Sequence, residues 1–204
     1  MSRHEQGRGR LLVAAAAAAA ALAVAFVTPG RGTAARYVVT ADKAHPRIKY
    51  GDSLLSINDR CAVKESELSP SIRPIYVNTM PVGFCCTTCP AIFVQGPEPY
   101  LQRMKAAFTD PVHADRPAKI QAAMRYHVNW EVFYFADRAG MDEFRKRPTD
   151  YCGWLTDPVN GVRFRPGPQS PRVVHAGRSF YFTSDSTRTK FQAAPIDYAY
   201  RKGA

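Results

Sequence analysis

The chain has 204 residues, of which 46% are hydrophobic and 22% charged, so most of it has the composition of a globular protein. It contains 16 prolines and carries a formal net charge of +11 at pH 7. The proline content disfavours long helices and predicts short elements joined by turns. A single apolar run near the start excludes a protein with several membrane spans.

Residues 1–25 have the pattern of an export signal or an N-terminal anchor. A start rich in arginine precedes an uninterrupted run of small apolar residues over 11–27, and Pro29 follows that run. The run of about 17 residues is mostly alanine, which makes it a weak transmembrane helix. Cleavage after Ala25 would release the rest of the chain. We therefore expect export to the periplasm or the medium, or an N-terminal membrane tether.

The basic charge indicates which partners suit an exported chain. Anionic surfaces outside the cytoplasm, such as lipid headgroups or wall polymers, or another envelope protein would complement a charge of +11. The same charge could serve solubility alone. Nucleic acid is not expected as a partner of an exported protein. Residues 26–50, rich in Arg, Ala, Gly and Thr, are predicted to be a linker.

Beyond the linker, three passages share one pattern at identical spacing. Each has a Phe, a second Phe, a Pro and a Tyr: Phe84, Phe93, Pro97 and Tyr100; Phe135, Phe144, Pro148 and Tyr151; and Phe182, Phe191, Pro195 and Tyr198. An aspartate precedes the first Phe at the same distance in each passage: Asp59, Asp110 and Asp157. Agreement across three passages predicts tandem repeats.

Each repeat is predicted to be a β-hairpin followed by a short helix. The β-branched and aromatic stretches that precede the helices cover residues 75–84, 128–135 and 173–182. Asp137 and Ser184 are good N-cap residues, and the first helix is expected near Thr87. The predicted fold class is α+β, with tandem small β-hairpin-plus-helix units. Their predicted boundaries are 51–105, 106–152 and 153–204.

A cluster of cysteines distinguishes the first unit. Cys85 and Cys89 are spaced so that a helix would place both on one face, and Cys61 lies in the turn that folds back toward the helix start. The start of a helix is expected to lower the pKa of these thiols. Three thiolates suit Cu(I) in a trigonal site, or Zn²⁺ with a fourth ligand. That ligand could be Cys86, Asp59, water or a group from a partner.

The same residues carry a family resemblance. The first unit, over Cys61 to Tyr100, and the third, over Asp157 to Tyr198, resemble the YHS domain, which is grouped with the TRASH heavy-metal-binding domains. The resemblance implies a treble-clef-like or zinc-ribbon-like small domain and a role in metal sensing, trafficking or resistance. It assigns the metal-type cysteines to Cys61, Cys85 and Cys89. The second and third units lack these cysteines.

The sequence therefore predicts an exported, non-catalytic protein that handles copper or zinc. No serine-histidine-aspartate order, phosphate loop or catalytic carboxylate pair is present. One alternative is a structural or interaction module of the cell envelope, with the cysteines bridged as disulfides. Another is thiol redox chemistry at Cys86 and Cys89, which form a C-x-x-C pair. Cys152 is expected to be a buried or free thiol, with a bridge to Cys86 as the other option.

Overall fold

The structure is a computed structural model that describes residues 37–51 and 54–199, all in one unit of the chain. It is mixed α/β, compatible with the α+β prediction. The strands are β1 (Val38–Val39), β2 (Ile48–Lys49), β3 (Ile75–Val77), β4 (Met80–Val82), β5 (Arg125–Val128), β6 (Glu131–Tyr134), β7 (Leu155–Thr156), β8 (Arg163–Phe164), β9 (Arg172–His175) and β10 (Arg178–Tyr181). The helices are α1 (Cys89–Gln95), α2 (Glu98–Arg103), α3 (Arg138–Lys146), α4 (Pro148–Tyr151), α5 (Asp185–Ala193) and α6 (Pro195–Ala199), with a 3-10 helix at Ala122–Met124.

Of the region predicted to contain a signal or anchor and a linker, only the last residues are among those that the structure describes. The predicted signal or anchor, residues 1–25, lies outside the described residues, as do residues 26–36 of the predicted linker. Residues 37–50 of that linker are folded: β1 pairs antiparallel with β2, and Ile48 and Tyr50 are buried. The linker prediction is wrong there because these apolar side chains pack into the first core cluster. In the part of the chain that the structure describes, no helix is long and apolar enough to cross a bilayer.

Three hairpins and the helices after them make up most of the described chain. Each taken with the loop that precedes it, we call these the first hairpin segment (residues 57–103), the second (108–152) and the third (155–199). The strands of the three hairpins form one six-stranded sheet in the order β4-β3-β6-β5-β10-β9. An isolated two-stranded hairpin is only marginally stable in water, and a shared sheet gives each hairpin a neighbour.

Parallel contacts join one hairpin to the next. The first strand of each hairpin lies beside the second strand of the following one, with Val77 opposite Val132 and Val128 opposite Ser179. Within each hairpin the pairing is antiparallel. The same strand arrangement is therefore repeated from the first hairpin segment to the third, and β9 is the last strand of the sheet.

An asparagine in the turn of each of the first two hairpins fixes that junction. The side-chain amide of Asn78 donates to the carbonyl of Tyr134, 2.9 Å away, and its oxygen accepts from the Tyr134 N–H at 2.7 Å. Asn129 makes the same two bonds to Tyr181, at 2.9 and 2.7 Å. Both asparagines have positive φ, which this residue type tolerates well. The corresponding turn of the third hairpin is Ala176-Gly177, which offers no such side chain.

The helix starts agree with the sequence in two segments. Asp137 caps α3 by accepting from the Gly140 N–H at 2.9 Å, and Ser184 caps α5 by accepting from the Thr187 N–H at 3.2 Å. Helix α1 begins after Thr88, which makes no side-chain cap. The first hairpin segment thus lacks the cap hydrogen bond that the other two have.

Each main helix sends one phenylalanine into the core. Phe93, Phe144 and Phe191 are fully buried and contact the Phe that ends the preceding hairpin. The tyrosine of each segment packs on the same helix ring: Tyr100, Tyr151 and Tyr198 lie 6.0, 6.2 and 6.4 Å from it between ring centroids. The spacing that is repeated three times in the sequence is therefore a packing pattern, in which aromatic contacts hold each helix to the sheet.

Candidate metal centre

The cysteine cluster lies where β4 gives way to helix α1. Cys85 and Cys86 occupy the bend after the strand, and Cys89 is the first residue of the helix. Pro90 follows at a position where its missing N–H costs no helix hydrogen bond. The short path from bend to helix brings all three side chains close together.

Three of the sulfurs converge. The Sγ atoms of Cys61, Cys85 and Cys89 all lie within 4.8 Å of one another, and those of Cys85 and Cys89 are 3.8 Å apart. Cys61 and Cys89 are 1% and 0% exposed, whereas Cys85 is partly exposed. The predicted convergence of the turn cysteine with the strand–helix pair is thus present in the structure. All five cysteines of the chain are free thiols here.

Cys61 sits in a loop that points backbone N–H groups at its sulfur. The Lys64 N–H donates to this sulfur from 3.5 Å, and the N–H groups of Val63 and Cys85 also act to lower its pKa. Burial raises the pKa of the Cys61 thiol, but these donors outweigh it and the net shift is downward. The loop therefore stabilises the thiolate form of Cys61.

The other two sulfurs of the group behave differently. Burial raises the pKa of Cys85 and that of Cys89, and in both the nearby sulfur of Cys61 adds to the rise. The expectation that the helix start lowers the pKa of these thiols is wrong, because desolvation and the neighbouring sulfur prevail. Metal binding at this site must displace protons from Cys85 and Cys89, so affinity will increase with pH.

Cys86 lies beside the three-sulfur group and is not a member of it. Its Sγ is 3.2 Å from Cys89 Sγ and 3.3 Å from Thr88 Oγ1, and it is partly exposed. Hydrogen bonds from Thr88 first, and then from Cys89, lower the pKa of Cys86 to about 6. Of the predicted fourth ligands, Cys86 is thus close to one sulfur of the group.

Asp59 and Cys152 lie apart from the cluster. Asp59 is hydrogen-bonded to His45, with 2.6 Å between its Oδ2 and His45 Nδ1, and it is outside the three-sulfur group. Cys152 is fully buried in the core of the second segment, away from the cluster that contains Cys86. Burial raises the pKa of Cys152 to about 12. A buried free thiol was one of the two expectations for Cys152, and it is the one observed.

The second and third segments have an aspartate where the first has Cys61. Asp110 accepts from the N–H groups of Val112 and His113, two and three residues on, and from Ala136 N–H at 2.6 Å. Asp157 accepts from Val159 and Asn160 in the same way, and from Thr183 N–H at 2.8 Å. Ala136 and Thr183 are the positions that match Cys85 by spacing.

Cys61, and not Asp59, is therefore the structural counterpart of Asp110 and Asp157. Even spacing before Phe84 placed Asp59 at that position, but the connection in the first segment is slightly shorter, and the loop takes Cys61 instead. The sequence did contain a signal for this loop, because Asp-Pro-Val turns open the second and third segments.

Comparison with known proteins adds one short match. Over 48 residues the chain is 42% identical to a copper-transporting P-type ATPase of Rhizobium leguminosarum bv. viciae. The match covers 24% of this chain and 6% of the ATPase. No family model matches the chain, and no solved structure matches it. Together with the sulfur cluster, the match suggests metal binding.

Proposed function

We propose that this protein binds a single soft metal ion, Cu(I) before Zn²⁺, through Cys61, Cys85 and Cys89. The observation that carries the proposal is the approach of three sulfurs to within 4.8 Å of one another without a disulfide between them. Soft thiolate ligands select Cu(I), zinc or iron–sulfur clusters. The short match to a copper-transporting ATPase favours copper among these.

The number of donors also favours Cu(I). Zn²⁺ in structural sites is almost always four-coordinate, and the group supplies three sulfurs. Zinc would need a fourth ligand, for which water or a shift of the nearby Cys86 would serve, whereas Asp59 is already engaged by His45. A three-sulfur site takes Cu(I) without a further group.

We further propose that the protein acts outside the cytoplasm and without catalysis, as a buffer or carrier of the ion. The support is the signal-like or anchor-like pattern of residues 1–25, together with a basic charge suited to an anionic surface or an envelope protein. The hairpin segments are proposed to be tandem YHS-like units of one origin. A hydrogen bond from the N–H three residues on, which Cys61, Asp110 and Asp157 all accept, supports that proposal.

Metal analysis of the purified protein under reducing conditions tests the central proposal. We expect about one equivalent of Cu(I) per chain when the ion is supplied anaerobically, and a loss of most of that uptake in Cys89→Ser. Cys152→Ala is the matched control, because that cysteine is buried in another core cluster, and its uptake should equal that of the wild type. Uptake below about one-tenth of an equivalent would reject metal binding and leave a structural role for the cysteines.

A further inference from the structure

We propose that Cys86 and Cys89 form a thiol–disulfide exchange site, and that the disulfide between them removes Cys89 from the metal ligands. The inference rests on the proposed metal site for its consequence, but the disulfide itself rests on geometry alone. Cys86 Sγ lies 3.2 Å from Cys89 Sγ, closer than the 3.8 Å that separates Cys85 and Cys89. A covalent S–S bond of about 2.05 Å would bring the two sulfurs closer by about 1.2 Å.

Exposure divides the roles of the two sulfurs. Cys86 is partly exposed at the bend before α1, so an external disulfide can reach it. Cys89 is fully buried and is reached only through a neighbouring sulfur. Cys86 is therefore the residue that meets the reactant, and Cys89 is the residue that resolves the intermediate.

The reactant is a disulfide, R–S–S–R, of a small thiol or of an oxidoreductase. The Cys86 thiolate attacks one sulfur, forms a mixed disulfide and releases one R–S⁻. Cys89 then gives its proton to the released R–S⁻ and attacks Cys86 Sγ, which forms the Cys86–Cys89 bond and releases the second R–S⁻. The two cysteines lose two protons and two electrons, and the reactant takes up the electrons and leaves as two thiols.

The exchange affects the proposed metal site because Cys89 is both one of its three ligands and one of the two exchange cysteines. Once bonded to Cys86, Cys89 has no thiolate to offer, and the site retains Cys61 and Cys85. A bound metal ion has the opposite effect, since it occupies Cys89 and slows the second attack. Metal loading and oxidation at residues 86 and 89 therefore exclude each other.

The test uses the full chain, glutathione disulfide as reactant and Cu(I) as metal. Reduced metal-free protein is incubated anaerobically with glutathione disulfide, alkylated, and sequenced by fragmentation mass spectrometry. We expect Cys86 and Cys89 to be linked and Cys61 and Cys85 to be alkylated. After removal of glutathione, Cu(I) uptake should be at least about tenfold lower than in the reduced protein, and dithiothreitol should restore it.

Each variant is compared with itself before and after oxidation. In Cys86→Ser the ratio of Cu(I) uptake after and before glutathione disulfide should stay near one. Cys152→Ala keeps both exchange cysteines, and its ratio should fall as in the wild type. A link between Cys85 and Cys89, an alkylated Cys86, or undiminished uptake by the linked protein would overturn the inference. No uptake by the reduced wild type would instead reject the proposed function, and the fragment map would then decide the disulfide alone.

Discussion

In the first hairpin segment the hydrogen-bond acceptor beside the strand–helix junction is a sulfur, whereas in the second and third segments it is a carboxylate. In all three, a loop residue accepts a hydrogen bond from the N–H three residues on. The N–H two residues on and the N–H after the hairpin's last Phe donate to the two aspartates, and at Cys61 the same two groups act to lower the pKa of the thiol. The acceptor is Cys61 in the first segment, Asp110 in the second and Asp157 in the third. All three side chains are almost fully buried.

The comparison shows that the loop places a buried hydrogen-bond acceptor at this position and that either a carboxylate or a sulfur can fill it. A buried carboxylate satisfied by three N–H groups has little left to offer a soft metal ion. A thiolate in the same loop meets the same donors and remains a soft ligand. The first segment adds two sulfurs at the positions of Ala136 and Gly140, so its loop forms one side of the proposed metal site.

The first prediction, with the largest expected effect, replaces Cys61 by the aspartate that the other two loops contain. Cys61→Asp should keep the fold, because a carboxylate accepts from the same N–H groups, and should lower Cu(I) affinity about 1000-fold through loss of one of three soft ligands. Circular dichroism and competition with a Cu(I) chelator measure the two effects. Cys61→Ala, which restores no acceptor, should be less stable than Cys61→Asp. Affinity within tenfold of the wild type in Cys61→Asp would contradict the assignment.

The second prediction concerns the carboxylate loops. Asp110→Ala leaves the N–H groups of Val112, His113 and Ala136 without their acceptor in a buried loop, so the free energy of unfolding should fall by about 3 kcal/mol. Asp59→Ala is the control, since Asp59 holds the same place by sequence spacing but bonds to His45 near the surface. Its effect should stay below about 0.5 kcal/mol in urea denaturation. An equal decrease in the free energy of unfolding of the two variants would show that Asp110 contributes no more to stability than Asp59.

The third prediction uses a group found in the second segment alone. Glu131 stands at the position of Met80 and Arg178. Its Oε1 accepts from Thr156 at 2.7 and 2.8 Å, and among the described residues its buried Oε2 has no hydrogen-bond partner. Burial raises the pKa of Glu131 to about 7, against the opposing effects of Arg163 and Thr156.

Stability should therefore fall as pH rises, because folded Glu131 keeps a proton that the unfolded chain releases. Between about pH 5 and pH 7 the decrease should be about 2 kcal/mol. Glu131→Gln carries no charge and should remove this component from the pH profile measured by urea denaturation. Identical profiles for wild type and variant would show that Glu131 titrates at its ordinary pKa in the folded protein.

The smallest predicted effect lies in the hairpin turns. Ala176 has a φ of 48°, in the left-handed region that costs an alanine conformational energy. Ala176→Asn introduces the residue type that the other two turns use, and should raise the free energy of unfolding by about 0.5 kcal/mol. Ala193→Asn, at an exposed site in helix α5, should lower it by a few tenths. Thermal unfolding of both variants tests this prediction. A lower stability of Ala176→Asn than of the wild type would show that the backbone of Ala176 is not strained.

Local order was the part of the fold that could be predicted from sequence. Asp137 and Ser184 cap their helices as expected, and the regular Phe, Pro and Tyr spacing marks the three hairpin segments. The spacing of Cys85 and Cys89 brought those two sulfurs together, and the turn position of Cys61 added the third. These signals operate over a few residues, where backbone geometry and helix periodicity dictate the outcome.

The tertiary structure decided how the segments meet and what the loops do. Three features join parts far apart in the chain: the parallel contacts between hairpins, the bonds from Asn78 to Tyr134 and from Asn129 to Tyr181, and the burial of Ile48 and Tyr50. The match of Cys61 with Asp110 and Asp157 also appeared only there, because equivalence depends on which N–H groups surround an atom. Hydrogen bonds and burial between distant segments have no fixed period in sequence, so spacing alone selected Asp59.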